Sequence, residues 1–148
     1  GMGFAFAGHF SSEPPEGPMR DYRDRFQPGA LDRPHAILAL SVFAAESDAE
    51  AERLSASSMR SFIDLRAGRP RRLQPPDVAL ATPLAPEEAE IARWFRSLAI
   101  IGSPDVVRDE IQARAKRSLA DEVMVATHAF DPKERRRSFE LVAEAFRG

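Results

Sequence analysis

An unbroken apolar run, His35-Ala-Ile-Leu-Ala-Leu-Ser-Val-Phe-Ala-Ala45, constrains this chain more than any other segment. Its apolar residues are continuous rather than alternating. A strand of this kind needs cover on both faces, as a parallel strand has when helices pack against it. The next residues supply such a helix: Ser47-Asp48-Ala49-Glu50 is a capping-box sequence, and Ala51, Leu54, Ser58, Phe62 and Leu65 recur on one helical stripe. Gly68 fits the C′ position that ends such a helix.

Two further segments repeat the pattern. Gly3-Phe-Ala-Phe-Ala-Gly8 reads as a short strand buried on both faces, followed by a turn-rich stretch and a helix carrying Met19, Tyr22 and Phe26, which Pro28-Gly29 ends. Asp121-Glu-Val-Met-Val-Ala-Thr-His128 reads as a third strand. Asp131-Pro132-Lys133-Glu134 then opens a last helix that uses Phe139, Val142 and Phe146. Between the second and third strands the spacing predicts two helices. One starts at Pro86 with Ile91, Trp94, Phe95 and Leu98 and is broken at Gly102. The other is restarted by Ser103-Pro104, with Val107, Ile111 and Ala115 buried. Residues 69–86 hold five prolines and the cluster Arg69, Arg71, Arg72, which predicts a loop without regular structure. Strands alternating with amphipathic helices mean an α/β fold with a parallel sheet and right-handed crossovers.

Length limits what that sheet can be. With 148 residues the chain is one domain by its size, with room for a real core. A complete (β/α)8 barrel needs about 200–250 residues. The net charge of −2 and pI near 6.0 provide no basic excess for a phosphate backbone, so nucleic acid is not expected as a partner. The longest apolar stretch falls far short of the roughly 20 residues of a membrane span. The absence of cysteine excludes disulfides and thiolate metal sites. A cytoplasmic location is expected. No basic region precedes Phe4 to make a signal peptide. The apolar residues begin within three positions of the start, where a domain ordinarily has a solvated lead-in, which predicts that something precedes them.

Several segments, in this order, resemble the luciferase-like, flavin-dependent monooxygenases related to bacterial luciferase. Gly3-Phe-Ala-Phe-Ala-Gly-His-Phe10 is similar to their sixth-strand region. Asp48 and Glu50–Leu54, ahead of the Pro/Arg loop, resemble a family helix. Ile101-Gly102-Ser103-Pro104 resembles their turn before a helix, and Asp121–His128 their last barrel strand. The resemblance covers nearly all of the chain. It implies a (β/α)8 barrel that uses reduced FMN, or in some branches a deazaflavin, and often dioxygen. It also implies that only the last three β/α units are here, a partial TIM barrel over residues 1–148. The turn after the fifth strand, where the family binds much of the flavin phosphate, is absent. The implied function is thus the C-terminal fragment of a flavin-dependent oxidoreductase, not catalytically competent alone.

Catalytic groups of barrels lie at C-terminal strand ends and in the loops beyond. His9 and His128 stand there as candidate catalytic residues, able to shuttle a proton or hydrogen-bond a flavin. Ser11, Ser41 and Thr127 are the candidate cofactor-binding residues. The plainer alternative is that all five only satisfy local backbone groups. No metal is expected, because no carboxylate stands at ligand spacing from the histidines. Glu87, Glu88 and Glu90 read as a solvated helix start, and Arg69, Arg71 and Arg72 as a mobile loop rather than an anion clamp. Arg135–Arg137 read as an exposed face paired with Glu140 or Glu144.

Three parallel strands leave two open edges and helix faces shaped for absent neighbours. A homodimer or higher oligomer is therefore expected, with a missing N-terminal half or a flavin reductase as further partners. The competing reading is a non-enzymatic oligomeric interaction module derived from a degenerate barrel. A flavodoxin-like domain fits less well, because it needs about five strands.

Overall fold

The computed structural model describes residues 1–147. In chain order the elements are β1 (Phe4–Phe6), α1 (Glu16–Asp24), β2 (Ala36–Ala44), α2 (Asp48–Arg66), α3 (Pro76–Ala81), α4 (Pro86–Leu98), β3 (Ile100–Gly102), α5 (Pro104–Arg117), β4 (Glu122–Ala126) and α6 (Pro132–Ala145). The apolar run of β2 is the hub of a parallel sheet. Its residues Ala36–Leu38 pair with β1, Ile37–Ser41 with β4 and Val42–Ala44 with β3. Its backbone groups alternate between two edges. His35 and Ala39 accept from Phe4 and His9, whereas Ala36 accepts from Asp121 on the β4 side. Ala45 donates to Gly102, so by alternation β3 takes up the edge that β1 leaves.

The register sorts side chains onto two faces. Phe4, Phe6, Leu38, Leu40, Val123 and Val125 face Met19 of α1, Val107 and Ile111 of α5, and Leu141 and Val142 of α6. Each fully buried side chain of this size contributes about 1.5–3 kcal/mol. On the other face, Phe43 packs with Leu54 of α2, Phe95 of α4 and Ala129. That second cluster covers only the C-terminal part of β2. Further down the same face Ala5 is exposed, and Met124 is 54% exposed.

Helix signals hold where a cap has a partner. Ser47 Oγ accepts from the N–H of Glu50, and Gly68 adopts φ +70° at the C′ position of α2. Asp131 accepts from Lys133 and starts α6. Arg137 pairs with Glu144 at 3.0 Å and with Glu140 at 3.6 Å, on an exposed face as expected. Ser103 makes no side-chain cap; its N–H instead donates to Asp48 Oδ1 at 2.7 Å, tying the start of α2 to the turn before α5.

Several expectations are corrected. The helix starting at Pro86 ends at Leu98, and Ile100–Gly102 form a strand, because those residues can pair with β2. The stretch 69–86 contains α3, since Pro76 stands at the helix start, where no N–H is needed. β1 is an edge strand, half-exposed rather than buried on both faces. Leu65, Phe139 and Phe146 are exposed; α6 buries Val142 as expected, together with Ser138 and Leu141. Among the described residues no helix is long and apolar enough to cross a membrane.

Candidate functional site

β1 and β4 run parallel to β2 on its two sides and end opposite Leu38 and Ser41, while β2 continues to Ala44. Ser41 is 8% exposed and pairs in register with Ala126. His9 lies in the turn that follows β1, and His128 in the segment that follows β4.

Their environments differ. Gly8 allows the chain to turn close to β2; a Cβ there would lie 3.0 Å from the Ala39 carbonyl oxygen. The N–H of His9 then donates to that same carbonyl at 3.1 Å. The His9 ring is half-buried, and its Nδ1 is buried with no hydrogen-bond partner. His128 has an exposed ring, and its carbonyl accepts from Ser58 Oγ at 2.6 Å. Thr127 is buried, with its hydroxyl donating to the carbonyl of Val42. Ser11 Oγ accepts from the N–H of Glu13 at 3.0 Å. Among the described residues no hydrogen bond joins the side chains of His9, Ser41 and His128, and no cluster of three or more metal-ligating side chains occurs.

Sequence reasoning missed two charged features. Glu88 does not belong to a solvated helix start: it is 5% exposed and accepts from Arg60 Nη2 and Arg69 Nη2, each at 3.1 Å, and from the N–H of Ala85. That N–H first, then the two guanidiniums, hold its carboxyl below the usual range against the opposing effect of burial. Arg69 is thereby fastened to α4. The second feature is Arg66, whose guanidinium lies 4.1 Å from the centre of the Trp94 ring. The i, i+4 spacing of Arg60 and Asp64 was the available signal for the first feature, and nothing local marks the second.

A cavity of about 430 Å³ opens beside Trp94, between the loop after β1, α4 and α5. Of the five candidate residues, Ser11 lines it.

No family model matches the sequence. The chain is 33% identical over 148 residues to the uncharacterized protein YvbT of Bacillus subtilis (strain 168), covering 99% of this chain and 44% of YvbT. It is 33% identical over 145 residues to a luciferase-like monooxygenase of Escherichia coli (strain K12), covering 97% of this chain and 43% of that protein. The crystal structure of apo-MsnO8 superposes with a TM-score of 0.87 at 33% identity, over 99% of this chain and 45% of MsnO8. The chain thus spans less than half the length of these relatives. Its parallel sheet and six helices are similar to the fold of MsnO8. The chain fits a C-terminal part of the luciferase-like monooxygenases that it matches.

Proposed function

We propose that this chain is the C-terminal arc of a partial TIM barrel from a flavin-dependent monooxygenase, contributing one wall of an FMN site and not turning over unaided. The observation that carries the reading is the sheet face bare at Ala5 and Met124, between the open edges of β1 and β4, with Ser41 opposite the end of β4 and His9 and His128 in the segments beyond β1 and β4. The unpartnered Nδ1 of His9 is a polar group in need of a ligand or water. It fits a flavin edge, and Gly8 leaves the backbone there free of a side chain. Reduced FMN, when bound, supplies the electrons that reduce dioxygen.

This chain's residues would bind and orient. His9 hydrogen-bonds the ring system, His128 moves a proton at the open side, and Ser41 hydrogen-bonds from the sheet. Thr127 braces the β2 end through Val42, and Ser11 shapes the loop after His9. A second copy closes the edges in the absence of a missing N-terminal half, and a flavin reductase would supply reduced flavin. The interaction-module reading is favoured by one observation: the hydroxyls of Ser11 and Thr127 are already engaged within the chain.

The test is an FMN titration followed at the flavin absorbance bands. It is run on the chain alone and on the chain co-expressed with the part of YvbT that it does not match. Stoichiometric FMN binding by the joined pair, absent in the chain alone, is the expected result. No flavin binding by a stable joined pair favours the interaction module. Turnover by the chain alone contradicts the incomplete-site reading.

A further inference from the structure

We infer that Arg66, at the end of α2, anchors a carboxylate-binding seat together with Phe10, from the loop after β1, and Trp94, which lines the 430 Å³ cavity. Three rings hold its guanidinium: Trp94 at 4.1 Å, Phe62 at 5.2 Å and Phe10 at 5.4 Å. Phe62 in turn packs edge-on against Trp94, with centroids 5.1 Å apart, so the stack is braced from within. Cation–π contact with three rings restrains where the guanidinium sits.

Among the described residues Arg66 has no carboxylate within 4.0 Å and donates no hydrogen bond. The cations on the cavity wall are already engaged. Arg114 binds Glu110 at 2.8 Å and the Leu98 carbonyl at 2.6 Å, and Arg117 lies 3.7 Å from Glu16. A pre-oriented, unpaired guanidinium fork matches a planar carboxylate through two parallel hydrogen bonds. The rest of the ligand has apolar cover from Phe10, which is 53% exposed, and from Trp94, which lines the cavity. The cavity lining carries Glu16 and Glu110, so the ligand's charge belongs at Arg66 and not inside the cavity. The ligand class is a small carboxylic acid with an aromatic or branched apolar body. This goes beyond the flavin reading and stands apart from it, because the seat is built by this chain alone.

Trp94 is the only tryptophan in the sequence, so its emission reports the stack directly. The chain is titrated with sodium phenylacetate, phenylacetamide and inorganic phosphate at ionic strength held constant with sodium chloride. The expected result is a saturable change in Trp94 emission with phenylacetate, none with the amide, and loss of the response in Arg66→Met. Arg66→Lys keeps the charge without the planar fork and weakens binding about tenfold. An identical curve with the amide, a preference for phosphate, no saturable response, or an undiminished response in Arg66→Met each overturns the seat. Should Arg66→Met fail to fold by circular dichroism, the acid–amide comparison on the unaltered chain decides alone.

Discussion

Glu88 of α4 and Arg60 of α2 form a closed ion pair, Oε1 to Nη2 at 3.1 Å, with both residues at least nine-tenths buried. Removing one partner of such a pair leaves an uncompensated buried charge, which costs about 3–5 kcal/mol. Glu88→Ala should fall in that range in urea unfolding. Arg60→Met should cost at least as much, because it strands Asp64 as well as Glu88. A loss below that of an exposed pair in both variants would show that the pair does not persist in solution.

The same contacts set an acid limb. The Glu88 carboxyl is held below its ordinary range in the fold, so the unfolded chain takes up its proton at a higher pH than the folded chain does. Its stabilisation is complete above the ordinary glutamate pKa and is lost as pH falls through the lower folded value. Asp121 behaves alike. Burial pushes its carboxyl up, but the N–H of Ala36 and the guanidinium of Arg23 prevail and lower it. Melting curves below about pH 4.5 should steepen in loss of stability, and Glu88→Gln should flatten that limb.

Gly102 sits where β3 turns into α5 beneath Val106. A Cβ there would lie 2.7 Å from Val106 Cγ1 and 3.2 Å from Asp48 Oδ1. Gly102→Ala should destabilise by about 1–3 kcal/mol. The pair Gly102→Ala, Val106→Ala should recover most of that in thermal melts. Failure to recover would assign the cost to the backbone instead.

His9 leaves its buried Nδ1 unbonded. An unmet buried polar group costs about 1–3 kcal/mol, so His9→Leu should raise the stability of the chain by about 1 kcal/mol in urea unfolding while removing the group proposed to meet flavin. A loss of stability would show that the ring is already satisfied.

The hub of the fold is legible in the residues because its signals are local. The run Ala36–Ala44 and the caps at Ser47, Gly68 and Asp131 each report a backbone state within a few positions. What escaped depends on partners far away in sequence. Ile100–Gly102 becomes a strand only by pairing with Val42–Ala44, and Glu88 is buried only because Arg60 lies on the neighbouring helix. The exposure of Phe139, Phe146 and Ala5 has the same origin, since apolar residues at edges are read as buried when nothing local says which neighbour covers them. For the candidate site, position was legible from strand ends. The engagement of Thr127 with Val42 was not, because a hydroxyl at a strand end serves backbone or ligand equally well.

The proposed function requires that the bare face and the two open edges of this sheet be surfaces of assembly. Light scattering on the purified chain tests it most directly, with Met124→Glu, which places a charge on the bare face, as the comparison. The expected species has at least twice the mass of 16.4 kDa, and the substitution shifts it toward smaller mass. A monodisperse particle of 16.4 kDa, stable and unchanged by the substitution, would contradict it.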